Sequence, residues 1–131
     1  AEFVGRFKKD RKPLRSIALT TDSSILTCVA NDYSFEDIFL RPFQALVKKD
    51  DILICISTSG NSKNILRVLK EAKRLKIFSV CFLGKGGGKA KKLASKSIVV
   101  PSNNTARIQE CHIFLGHFIL EKIEDFIIKR N

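Results

Sequence analysis

Asp51-Ile52-Leu53-Ile54-Cys55-Ile56-Ser57-Thr58-Ser59-Gly60-Asn61-Ser62 decides the reading of this chain. Ile52 to Ile56 is a short continuous apolar run, the pattern of a strand buried on both faces of a parallel sheet. It stops abruptly in a hydroxyl-rich turn. A helical pattern follows, with Ile65, Leu66, Val68, Leu69 and Ala72 recurring at three- and four-residue spacing. Strand, turn and helix in that order gather backbone N–H groups and hydroxyls at a helix N-terminus. The first donors there are unpaired and the helix dipole favours negative charge, so a phosphate is the natural guest. The plainer alternative is that Ser59 or Ser62 only caps the helix. Capping needs one hydroxyl, and Ser57, Thr58, Ser59 and Ser62 supply four, which favours the phosphate.

The chain's 131 residues fit one domain, near the lower edge for a complete α/β fold. No apolar run approaches the ~20 residues of a membrane span. The opening AEFVGRFKKDRK lacks the apolar core of a signal peptide, so a cytoplasmic protein is expected. Cys28, Cys55, Cys81 and Cys111 lie far apart with no C-x-x-C pair, which suggests neither a disulfide framework nor a thiolate zinc knuckle. The net charge of +11 is spread over loops and helix flanks without interleaved aromatics. It reads as a solvated basic surface that attracts anionic substrates rather than as a nucleic-acid interface.

Alternating β and α elements argue for a parallel sheet with helices on both faces. The pattern predicts a helix over residues 1–9 and a short strand at Ser16 to Leu19, ending in a polar turn at Thr20 to Ser24. An amphipathic helix is expected from Phe35 to Val47, and the post-turn helix from Asn64 to Leu75. Further strands are expected at Ile77 to Leu83 and Ile98 to Val100, then one long helix from Ala106 to Lys129. The loop Gly84-Lys85-Gly86-Gly87-Gly88-Lys89 does not have the spacing of a P-loop and reads as a flexible connection whose lysines are available to a phosphate.

Arg107-Ile108-Gln109-Glu110-Cys111-His112, after Pro101-Ser102 and Thr105-Ala106, closely resembles the C-terminal motif of the bacterial phosphoheptose isomerases. ISTSGNS, Asn31-Asp32-Tyr33, the Gly84 to Lys89 loop and Glu2-Phe3-Val4-Gly5-Arg6 resemble the same family, in the same order and across essentially the whole chain. The resemblance implies the sugar isomerase (SIS) fold, a flavodoxin-like α/β parallel sheet flanked by helices, as a single domain over residues 1–131. It implies interconversion of sedoheptulose 7-phosphate and D-glycero-D-manno-heptose 7-phosphate for lipopolysaccharide heptose. Ser57, Thr58, Ser59 and Ser62 would hold the sugar phosphate, and Asn31 and Asp32 would line the sugar. Glu2, Gln109 and His117 would surround the reacting carbons. The same resemblance implies one zinc ion per subunit, held by Glu2, Gln109, His117 and a further His, in a homotetramer with interfacial active sites. His112 belongs to the motif but not to the ligands, and is expected to be structural.

The implied chemistry is coherent. Moving a proton between C1 and C2 through an enediol needs a base at carbon and an acid near oxygen, and a carboxylate and an imidazole provide that pair at neutral pH. Glu2 is expected to abstract the proton and His117 to assist at the oxygens, with zinc polarising the carbonyl. Gln109 and His117 are about 12 Å apart along a helix and roughly 80° around it. That spacing points to a helix that starts late or to a site shared between subunits.

The chain departs from the family at its start. The family has an earlier helix, an Asn-Gly-Gly-Ser phosphate turn and the first zinc-binding His four residues before the Glu, so the chain is expected to be N-terminally truncated. A base at residue 2 would then sit on a frayed end. Two other functions compete: a non-catalytic sugar-phosphate-binding module or replication-initiation regulator, which looks to lack the terminal-helix His present here as His117, and a basic nucleic-acid binder supported by charge alone.

Overall fold

Three parallel strands form one sheet in the order β1 (Ile52–Ser57), β2 (Phe78–Leu83), β3 (Lys96–Val99) in a computed structural model that describes residues 1–129. The helix α3 (Lys63–Arg74) returns the chain from β1 to β2 and buries Val68, Leu69 and Ala72 completely. Those side chains meet Leu53, Cys55, Cys81 and Leu83 from one face of the sheet, joined by Phe43 and Ala90. Burying a Val or Leu side chain contributes about 1.5–3 kcal/mol, so this layer is the main source of stability. Within it Cys55 and Cys81 are register partners. The neighbouring Cys81 thiol, and burial, push the Cys55 thiol up, so it stays protonated and acts as a small hydrophobe.

The other face of β1 departs from the expectation of a strand buried on both sides. Ile52, Ile54 and Ile56 are 63%, 50% and 55% exposed, and Phe78 beside them is 47% exposed. An unbroken apolar run states that both faces are compatible with burial, but which face is covered depends on packing partners remote in sequence. Cover on this side arrives at Phe82, which is buried and lies against the His112 ring. His112 belongs to α5 (Thr105–Ile128), which begins at an Asn104 cap accepting from the N–H groups of Ala106 and Arg107.

The elements between differ from their expected outlines for local reasons. Residues 20–24, expected to be only a turn, lead into α1 (Ser23–Asp32), because Asp22 Oδ1 accepts from Ile25 N–H at 2.9 Å and caps a helix. The single helix expected over Phe35–Val47 is split into a 3-10 turn (Phe35–Asp37) and α2 (Leu40–Leu46). Pro42 accounts for the break: it lacks an N–H, and its ring opposes the carbonyl four residues back. After β2 the glycine loop leads into a short helix, α4 (Ala90–Leu93).

The first twenty residues hold neither the helix expected over 1–9 nor the strand at Ser16–Leu19. A nine-residue helix is marginal without tertiary support, and here distant partners claim its backbone. The N–H groups of Phe7, Lys8 and Lys9 donate to the buried Glu124 carboxylate of α5 at 3.0–3.3 Å. Arg11 Nε lies 3.2 Å from the same carboxylate, and its Nη atoms donate to the carbonyls of Glu2, Phe3 and Lys12. Ser16–Leu19 does not pair with β1, which forms the edge of the sheet among the described residues.

Two predictions follow from this packing. Leu69→Ala should cost about 2–5 kcal/mol in urea unfolding, whereas Ile54→Lys on the open face should change stability by less than about 0.5 kcal/mol. The second concerns Glu124. Burial alone would push its carboxyl up, but the N–H groups of Lys8, Lys9 and Phe7 and the Arg11 guanidinium outweigh that and hold it below its ordinary value. Its stabilising effect is therefore full above the unfolded carboxylate pKa of about 4.3 and is lost as pH falls through the lower folded value. Hydrogen-exchange protection of Phe7, Lys8 and Lys9 should vanish over that acid range, and should already be absent at neutral pH in Glu124→Ala.

Candidate active site

β1 ends at Ser57, whose hydroxyl is buried beneath the turn that follows. Ser57 Oγ accepts from Gly60 N–H at 3.1 Å and lies 3.3 Å from Ser62 Oγ. Ser59 Oγ accepts from Asn61 N–H at 3.1 Å. Gly60 sits at φ +65, a left-handed conformation that a side chain would strain. The turn thus folds back on itself and brings three of the four predicted hydroxyls, Ser57, Ser59 and Ser62, around the N-terminus of α3, with Thr58 half-buried between them.

Ser62 occupies the N-cap position of α3 yet makes no side-chain capping bond. The purely structural role that competed with phosphate binding is therefore not the one Ser62 performs. Its hydroxyl and the first N–H groups of a twelve-residue helix face an anion-favouring end. Two surface hollows lie elsewhere, one lined by Glu36, Arg67 and Arg74 and one at the opposite end of the strands by Val47, Ile52 and Phe78.

The remaining predicted residues are dispersed. Asn31 and Asp32 end α1 and bond to each other at 2.8 Å, and Cys28 Sγ donates to Asp32 at 3.5 Å. That hydrogen bond to Asp32 raises the Cys28 thiol pKa. Gln109 and His117 are exposed on the continuous helix α5, and the His117 ring stacks on Phe7 at 5.5 Å. Glu2 is tied through its carbonyl to Arg11 at 2.7 Å, and among the described residues no hydrogen bond or ion pair joins it to Gln109 or His117. Nor do three His, Cys, Asp or Glu side chains converge at metal-ligand spacing among the described residues. No chemical step is therefore derived through a zinc ion.

His112 is placed as expected of a structural residue. Its buried Nε2 donates to the Leu83 carbonyl at 3.1 Å, which ties α5 to the end of β2. The sequence reading missed the glycine loop's place in the site. Ala90 N–H donates to the Gly60 carbonyl at 2.9 Å, and Lys89 N–H to Asn61 Oδ1 at 3.1 Å, so the loop is seated on the hydroxyl turn rather than free. The run of glycines was the available signal, because only close backbone contact or positive φ requires so many.

The model of the SIS domain matches residues 1–83. Over all 131 residues the chain is 52% identical to the phosphoheptose isomerase of Aquifex aeolicus, covering 69% of that protein. It is 47% identical over the same span to that of Helicobacter pylori, covering 68%. The chain belongs to the phosphoheptose isomerases. The solved phosphoheptose isomerase from Francisella tularensis superposes with a TM-score of 0.87 at 37% identity, over 92% of this chain and 64% of that one. That from Neisseria gonorrhoeae gives 0.84 at 39%, over 86% and 63%. The chain thus spans about two thirds of the length of the phosphoheptose isomerases it matches, and its parallel sheet with a long terminal helix is theirs.

The Ser62 hydroxyl, which bonds to Ser57 but does not cap the helix, separates two roles by experiment. Asn104→Ala, which removes a working cap, should cost about 1 kcal/mol of stability. Ser62→Ala should cost less than about 0.5 kcal/mol in the same urea titration, while weakening sugar-phosphate binding measured by calorimetry several-fold.

Proposed function

We infer that this chain carries the sugar-phosphate-binding part of a phosphoheptose isomerase that interconverts sedoheptulose 7-phosphate and D-glycero-D-manno-heptose 7-phosphate in the cytoplasm. The observation that carries this reading is the cluster of Ser57, Ser59 and Ser62 at the N-terminus of α3, with the Ser62 hydroxyl left out of helix capping. The family relationship supports the choice of sugar. The phosphate, held by hydroxyls and helix N–H groups, anchors the end of the substrate remote from the reaction, which converts C1 and C2 into a positioned pair.

Proton transfer between those carbons falls to Glu2 as base, with His117 transferring protons at the oxygens and Gln109, Asn31 and Asp32 contacting the sugar. Among the described residues no hydrogen bond or ion pair joins Glu2 to His117, and this reading puts the reaction at a boundary between subunits, in a homotetramer. Zinc enters the proposal only as an ion completed across that boundary. The apolar ring of Phe7 on His117 must move aside for substrate to reach the imidazole.

Isomerisation of sedoheptulose 7-phosphate followed by NMR tests the reading. The expected result is turnover by the wild-type chain and a loss of at least about a hundredfold in His117→Ala, the scale of a general acid–base group. Protection against thermal unfolding by the sugar phosphate without any turnover would favour the non-catalytic binding module instead.

A further inference from the structure

We propose that Asn61 is a positioning residue that latches the phosphate-binding turn onto the glycine loop and so sets the affinity for the phosphate without touching it. The proposal rests on the assignment of the turn as the phosphate site. Asn61 is exposed, yet both polar atoms of its side chain and its backbone N–H are hydrogen-bonded within the protein. Its Oδ1 accepts from Lys89 N–H at 3.1 Å, its Nδ2 donates to the Ser59 carbonyl at 3.2 Å, and its N–H donates to Ser59 Oγ at 3.1 Å. One side chain thus bridges the residue that presents a site hydroxyl and the loop that follows the neighbouring strand.

The two loops are shaped to meet. A Cβ on Gly60 would collide with the Gly87 carbonyl, and one on Gly88 would lie 2.5 Å from the Ser59 carbonyl oxygen. Gly60, Gly87 and Gly88 all have positive φ. The glycine loop is anchored in turn by Lys85 N–H on the Ser102 carbonyl at 3.1 Å, next to the end of β3. Ser59 is therefore fixed from both ends of a continuous chain of contacts that runs from β1 to β3. Backbone donors at an anion site bind best when their directions are set before the ligand arrives, because ordering them afterwards subtracts from affinity. Asn61 and the Gly60–Gly88 contact set them beforehand.

Asn61→Ala removes both side-chain bonds of the latch and leaves every site hydroxyl and the α3 core in place. Three measurements on the wild type and the variant decide the matter: titration of the Ser57–Ser62 amides with inorganic phosphate by NMR, steady-state kinetics with sedoheptulose 7-phosphate, and hydrogen exchange at Lys89 and Ala90. The expected outcome is a roughly tenfold weaker phosphate affinity and a roughly tenfold higher KM, with kcat within about twofold. Exchange at Lys89 and Ala90 should accelerate while the thermal midpoint stays unchanged. Equal phosphate affinity in the two proteins would overturn the latch, as would a wild type that binds no phosphate. A fall in kcat at constant KM would overturn it too, since Asn61 would then act at the reacting carbons. A wild type that binds phosphate but turns over no sugar would remove the isomerase reading alone, and the latch would stand or fall on the phosphate titration.

Discussion

Burial of Val68, Leu69 and Ala72 against Leu53, Cys55, Cys81 and Leu83 is the constraint on which the remaining features depend. With α3 fixed on that face, β1 and β2 must run parallel and the turn between β1 and α3 must emerge at their carboxyl ends. The helix N-terminus then emerges beside the turn, with the Ile65 N–H taken by Asn64 Oδ1 at 2.8 Å, and the chemistry of the turn is placed by a hydrophobic layer in which it takes no part. The glycine loop after β2 emerges at the same edge for the same reason, which is how two loops separated by more than twenty residues come to share hydrogen bonds.

The parts legible from sequence were those whose partners are close in sequence. The apolar run of Ile52–Ile56, the hydroxyl turn and the period of Ile65 to Ala72 each announce themselves locally and form the strand, turn and helix expected of them, although one face of the strand is open rather than buried. Residues 1–9 and 16–19 carried equally plausible local patterns. Their backbone groups, however, are governed by Glu124 and by the absence of a paired strand, more than a hundred residues distant in the first case. The α1 cap at Asp22 was a readable signal hidden by the polar residues around it. For the site, the serine cluster could be deduced from types and spacing. The assignment of Glu2, Gln109 and His117 to one reacting centre rested on resemblance, because no periodicity relates the chain's second residue to its terminal helix.

Charge in this molecule works at two scales. The +11 of the chain is a diffuse field that draws anions toward the surface at a salt-dependent rate. Inside that field one carboxylate, Glu124, is buried with three N–H donors and a guanidinium, and it organises the whole N-terminal segment. Exposed ion pairs such as Lys8–Glu121 and Arg107–Glu110 contribute little beside it, since water and salt screen them.

The open side of β1 carries a colloidal consequence. Its outer edge presents unpaired backbone donors and acceptors among the described residues, and three isoleucines stand beside them on one uncovered face. Such an edge is a template for a further strand, with an apolar surface ready to be shared once pairing begins. In dilute, low-salt solution the mutual repulsion of chains bearing +11 holds them apart. Raising the ionic strength shortens the reach of that repulsion and leaves the edge and its isoleucines unchanged. Added salt therefore removes the main force that opposes pairing at this edge.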